Sequence, residues 1–189
     1  MIAAALLFLA ALIFPALAAA KEWTAEEQRL WKACRNGEII RLHVVANSDS
    51  PRDQAIKLAV RDAVIAAFAP VLSSDQWADC SHLFQVLSNN VSAFQKAAEQ
   101  RAKELGFSGQ ITAQAGVLEL PSKRYGQVLL PKGSYKALRI TLGSGQGQNW
   151  WCVLYPQLCL ALSASETEKP LWNCSEIFRQ WLVLPVQKE

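Results

Sequence analysis

Gly133-Ser134-Tyr135-Lys136-Ala137-Leu138-Arg139-Ile140-Thr141-Leu142, then Gly143-Ser144-Gly145-Gln146-Gly147-Gln148, then Asn149-Trp150-Trp151-Cys152-Val153-Leu154-Tyr155-Pro156: this stretch reads as strand, turn and strand. Leu138, Ile140 and Leu142 alternate with Tyr135, Ala137 and Arg139, the period of a half-buried strand. Residues 150–155 form a second strand, stopped by Pro156. The glycines between them permit a tight or flexible turn. They are no dinucleotide fingerprint, because the spacing to a third glycine is wrong and a strand follows, not a helix. Trp150 and Trp151 are adjacent, so they project from opposite faces; one belongs to a core and the other is presented. Cys152 and Cys159 flank Pro156, and a disulfide between them would brace the strand end. Buried thiols are the alternative.

Upstream, residues 39–47 form another strand. Ile40, Leu42, Val44 and Ala46 share one face; Ile39, Arg41, His43, Val45 and Asn47 share the other, which reads as a partly covered or solvated surface. Ser50, Pro51 and Asp53 then supply the N-cap, first-turn proline and capping-box acid of a helix over residues 51–68. Its Ile56, Val60, Val64 and Phe68 recur at fours. A short helical turn is expected around Trp77. A second long helix is expected from Cys80 to Leu105, with Gly106 as its C-cap. Residues 111–117 alternate as a strand, and residues 128–142 read as a hairpin. The expected fold class is α+β: a mixed or antiparallel sheet of about five strands with two long antiparallel helices packed on one face.

Four segments follow. Residues 1–20 carry no charge and end in a small-residue run before Lys21, which predicts a signal peptide or an uncleaved N-terminal anchor. Residues 21–38 hold a helix opened by the capping box Thr24-Ala25-Glu26-Glu27. Residues 39–162 form the α+β domain. Residues 163–189 form a polar linker and a short amphipathic helix, which docks on the domain or, in a third reading, makes a membrane-surface module of residues 171–184.

Composition removes several functions. Net charge is +3 and the basic residues are scattered, so no nucleic-acid partner is expected. Two histidines, and no C-x-x-C, argue against a structural zinc site; no metal or cofactor is expected. The odd cysteine count leaves one thiol free or paired between chains. Serine-hydrolase and aspartic-dyad motifs are absent, which favours a protein that is not an enzyme. The alternative is a secreted cysteine-dependent hydrolase using Cys152 with His43.

Three motifs carry a family resemblance over roughly residues 39–160. The first runs Ile40-Arg41-Leu42-His43-Val44-Val45-Ala46-Asn47-Ser48-Asp49-Ser50 into Asp53-Gln54, Lys57-Leu58 and Val60-Arg61-Asp62-Ala63-Val64. The second is Arg124-Tyr125-Gly126. The third is Gly133-x-Tyr135-x-Ala137-Leu138-Arg139 with the glycine loop, Asn149-Trp150-Trp151-Cys152-Val153-Leu154-Tyr155-Pro156 and Leu158-Cys159. In these the chain resembles the stage II sporulation protein R family of endospore-forming bacteria. The resemblance implies a signal made in the forespore and exported into the space between the forespore and mother-cell membranes. There it would activate a membrane-embedded aspartic protease of the mother cell, the sigma-E processing peptidase, leading to cleavage of the pro-form of sigma factor E. Asn47, Asp49, Trp150, Trp151, Tyr155 and Pro156 are the expected partner-binding residues, since Trp and Tyr often anchor interfaces.

Overall fold

The computed structural model describes residues 22–68 and 79–156. In chain order the elements are α1 (Ala25–Arg35), β1 (Ile40–Val45), α2 (Pro51–Ala66), α3 (Cys80–Asn89), α4 (Val91–Glu104), β2 (Ile111–Leu120), β3 (Lys123–Tyr125), β4 (Val128–Leu130), β5 (Gly133–Leu142) and β6 (Asn149–Tyr155). The fold is α+β around a mixed four-stranded sheet of order β2-β5-β1-β6. β1 pairs parallel with β5 and antiparallel with β6; β2 pairs antiparallel with β5. The readings at residues 1–20, around Trp77 and over residues 157–189 lie outside the described residues.

The hydrophobic period of each strand decides what it covers. Ile40, Leu42 and Val44 of β1 join Leu138, Ile140 and Leu142 of β5 against Val60 and Val64 of α2, Leu83 and Leu87 of α3, and Phe94 and Ala98 of α4. Phe68 and Phe94 meet edge to face at 4.9 Å, a favoured aromatic geometry. Each fully buried aliphatic or aromatic side chain here contributes roughly 1.5–3 kcal/mol. On the opposite sheet face a second cluster joins Leu30 and Ala33 of α1 to Val128 and Leu130 of β4, with Ile39 and Val153.

Three expectations change. The helix expected over residues 80–105 is two helices, because Asn90 is non-helical, with φ −112° and ψ 15°. Its side chain donates back to the Val86 carbonyl, the local competition that makes Asn a poor helix-interior residue. The apolar period runs across the break, with Leu87 and Phe94 both buried, so periodicity alone did not reveal it. The hairpin over residues 128–142 does not form: β4 pairs with β3, and β5 pairs with β2 and β1. Val128 and Leu130 are apolar enough to need cover, and α1 supplies it away from the main sheet. Last, the polar face of β1 is not solvated. All six β1 residues are buried, because β1 is a central strand covered on both sides.

Candidate partner-binding surface

The loop after β1 and the glycine loop after β5 are clasped together. Asn47 Oδ1 accepts from the Ser144 amide at 3.0 Å, and the Asn47 carbonyl accepts from Ser144 Oγ at 2.8 Å. Asp49 Oδ1 accepts from the Gln148 amide at 2.6 Å. Lys57 Nζ on α2 donates to the Gln148 carbonyl at 3.2 Å and to Gln54 Oε1 at 2.6 Å. Glycine is required here for close approach. A Cβ at Gly143 would strike Asn47 Oδ1, and one at Gly147 would strike the Ser48 carbonyl. Gly143 also has φ +54°, where other L-residues are strained. Asn47, half-buried, and Asp49, exposed, are therefore both engaged in hydrogen bonds within the chain.

The same loop caps α2. Ser50 Oγ accepts from the Asp53 amide at 3.1 Å, as expected of an N-cap. The Asp53 carboxylate does not reach back to complete a box. It accepts from Asn47 Nδ2 at 2.8 Å and from Ser48 Oγ. Those hydrogen bonds, Ser48 first and Asn47 second, hold its carboxyl below the ordinary carboxylate range.

Trp150 and Trp151 do point to opposite faces. Trp150 lies on the helix side, with the Arg61 guanidinium 5.0 Å from its ring. Trp151 stacks on His43 at 3.7 Å, and the Arg41 guanidinium sits 4.7 Å from its ring. Both tryptophans are half-buried, while Gln114 and Asn149 are exposed. Arg139 Nε donates to His43 Nδ1 at 3.2 Å, so the neutral ring carries its proton on Nε2. Burial first, then the Arg139 and Arg41 charges, push the His43 pKa down to about 3. The nearby Asn149 side chain acts weakly in the other direction.

Arg41 is fully buried. Its Nη1 donates to the Pro121 carbonyl at 3.1 Å, and its guanidinium also lies 5.0 Å from the Tyr135 ring. Nε and Nη2 have no hydrogen-bond partner, and among the described residues no carboxylate pairs with it. The Tyr135 and Trp151 faces, the Pro121 carbonyl and the neighbouring Tyr125 surround this charge.

The remaining expected residues are elsewhere. Tyr155 and Pro156 are half-buried at the far end of β6, where Tyr155 pairs with Ile40, while Asn149 pairs with Val45 beside the clasp. Six residues of strand separate the ends by about 20 Å. Cys152 is disulfide-bonded, and Cys34 and Cys80 are free. Cys159 and Cys174 both lie outside the described residues, so the brace to Cys159 does too. The hydrolase reading fails on register: Cys152 pairs with Leu42 and shares its core face, whereas His43 pairs with Trp151 on the other. A disulfide sulfur on the wrong face of the sheet cannot be the nucleophile of His43.

Sequence reasoning missed the role of Glu27. Its capping box with Thr24 is present, with Thr24 N donating to Oε2 at 2.8 Å. The same carboxylate is 2% exposed and accepts from the Gln127 amide at 2.7 Å, tying α1 to the β3–β4 turn. The Arg124-Tyr125-Gly126 motif was the available signal. Gly126 has φ +57°, and a Cβ there would strike Glu27 Oε1.

With this geometry in hand, the family model described as stage II sporulation protein R (spore_II_R) matches residues 36–165. The chain belongs to the stage II sporulation protein R family. The stage II sporulation protein R of Bacillus subtilis (strain 168) is 35% identical over 143 residues, covering 74% of this chain. The chain spans 62% of that relative's length. No solved structure matches the chain. The family assignment makes this a sporulation stage II protein, and its matched span takes in β1, the clasp and β6.

Proposed function

We propose that this protein is a forespore-to-mother-cell signal, exported into the space between the two membranes. There it binds the outer face of the membrane-embedded aspartic protease that processes the pro-form of sigma factor E. It acts as a ligand, not as a catalyst, and needs no cofactor. Binding shifts the protease toward its active state only through unequal affinity for its two states. The observation that carries this reading is the family match across residues 36–165. The fold is compatible with it. The clasp stiffens the end of the sheet where exposed Asn149 and half-buried Trp151 and Arg139 present polar and aromatic groups together.

The test is to produce the chain, the protease and the pro-sigma factor together in a host that does not sporulate. Cleavage is expected only when all three are present; equal cleavage without this chain overturns the reading. Trp150→Ala and Trp151→Ala then locate the surface. At least one variant that remains folded should lose processing. If both stay folded and fully active, the contact lies elsewhere on the domain.

A further inference from the structure

Among the described residues, Trp23 and Trp31 are the exposed tryptophans, at 37% and 44%. They touch edge to face, with centroids 5.7 Å apart and planes at 88°. Trp23 precedes the α1 N-cap and folds back along the helix to reach Trp31. Its backbone is held there. Gln28 Nε2 donates to the Trp23 carbonyl at 3.1 Å, and Gln127 Nε2 donates to the Glu22 carbonyl at 3.4 Å. The pair is thus a built feature of α1: Trp31 stands one turn beyond Glu27, on the flank of the face that buries Glu27, Leu30 and Ala33. More than a third of each tryptophan stays in contact with water, apolar area whose cover would be stabilising.

The sequence says what covers them. Residues 1–20 carry no charged side chain and end three positions before Trp23. In the chain that keeps residues 1–20 as its N-terminal anchor, an apolar segment of this length spans a bilayer. The residues directly after it then stand at the headgroup level, where the apolar ring and polar N–H of tryptophan are both satisfied. Charge does not supply the attraction. Lys21, Arg29, Lys32 and Arg35 balance Glu22, Glu26, Glu27 and Glu38 across this segment.

We propose that Trp23 and Trp31 form an aromatic anchor seated in the headgroup layer of a lipid bilayer. The anchor holds α1 on the membrane surface. Through the Glu27 hydrogen bond to Gln127, it also sets the orientation of the β3–β4 ribbon and the sheet behind it. The proposal does not depend on the signalling reading, because its measurement involves no protease.

The full chain is reconstituted in phosphatidylcholine vesicles containing a lipid brominated high on its acyl chain, and tryptophan emission is compared with Trp23→Phe/Trp31→Phe. Phenylalanine keeps the apolar ring and removes the indole emission. The wild-type chain should be quenched, and the double variant should lose most of that quenching. Undiminished quenching in the double variant assigns the contact to Trp77, Trp150, Trp151, Trp172 or Trp181 and overturns the proposal. So does absence of quenching in the wild type. Adding phosphatidylserine should change nothing; quenching that requires an anionic lipid would show charge-driven contact and overturn the aromatic anchor. Acrylamide supplies a second measurement on the wild-type chain alone: vesicles should protect the part of the emission that acrylamide reaches in their absence, and lack of protection counts against the anchor.

Discussion

The His43 imidazole and the Trp151 indole lie face to face, with planes 10° apart. The contact joins β1 to β6 on the sheet face opposite α2, α3 and α4. Burial first, then the Arg139 and Arg41 charges, keep this titratable ring neutral, with a folded pKa of about 3 against 6.5 for the free side chain. Below the unfolded pKa, the unfolded chain binds a proton that the folded chain rejects. The contribution of His43 is therefore complete above about pH 6.5 and falls as pH drops toward 3. The loss is at most about 1.4 kcal/mol per pH unit. Urea midpoints of wild type and His43→Gln between pH 7 and 4 should converge as pH falls. Parallel profiles would mean that His43 takes up its proton alike in the folded and the unfolded chain.

Glu27 and Gly126 give a test by double-mutant cycle. Gly126→Ala should cost about 1–3 kcal/mol, from its positive φ and from the collision with the Glu27 carboxylate. Glu27→Ala should cost about 1–2 kcal/mol through the lost capping box alone. In the double variant the collision is gone, so the two losses should fall short of additivity. Additive losses in denaturant titrations would place the strain at Gly126 entirely in its backbone.

Asn47 tests the clasp. Asn47→Ala removes the acceptor for the Ser144 amide and the donor to Asp53. The amides of Ser144, Gly147 and Gln148 should then exchange with solvent markedly faster, while those of β1 and β5 keep their protection. Unchanged loop exchange would show that the glycine turn holds its shape without Asn47. Overall stability should fall by only about 0.5–1.5 kcal/mol, because the Ser144 amide and the Asp53 carboxylate can turn to water instead.

Arg41 separates aromatic packing from charge. Arg41→Met keeps the apolar stem and removes a buried cation that has no carboxylate partner. Arg41→Lys keeps the charge but replaces the flat guanidinium between Tyr135 and Trp151 with a strongly hydrated ammonium. Lysine should therefore be the more damaging change, by about 1 kcal/mol or more. Chemical denaturation that ranks methionine as the worse variant would show that the charge itself is stabilised.

Cys152 should resist alkylation in the unreduced, unfolded protein, whereas Cys34 and Cys80 react. Peptide mass mapping reads this directly and identifies the partner. Alkylation of Cys152 without a reductant would show that the bridge is absent. Reduction should lower stability by about 2–4 kcal/mol, the usual range for such a bridge.

Much of this protein is local physics and was legible in its residues. The Thr24 and Ser50 caps, the fours-periodic face of α2, the alternation of β1, β2 and β5, and the opposed directions of Trp150 and Trp151 depend on neighbours within a few positions. Three motifs sufficed for the family. Pairing is different, because it is decided by which apolar faces find cover. Only the tertiary structure set β1 parallel to β5, and it turned β4 away from β5 to meet α1. It broke the helix at Asn90 without breaking its apolar stripe. It also buried Arg41 and His43 on a face that reads as partly covered or solvated in the sequence, because Trp151, Tyr135 and the Pro121 carbonyl pack over it. The long-range contacts have the same origin. Glu27 is a cap by its sequence, and a tie to Gln127 because α1 packs on the ribbon. Asn47 and Asp49 are loop residues by sequence, and clasp residues because β1 and β5 end side by side.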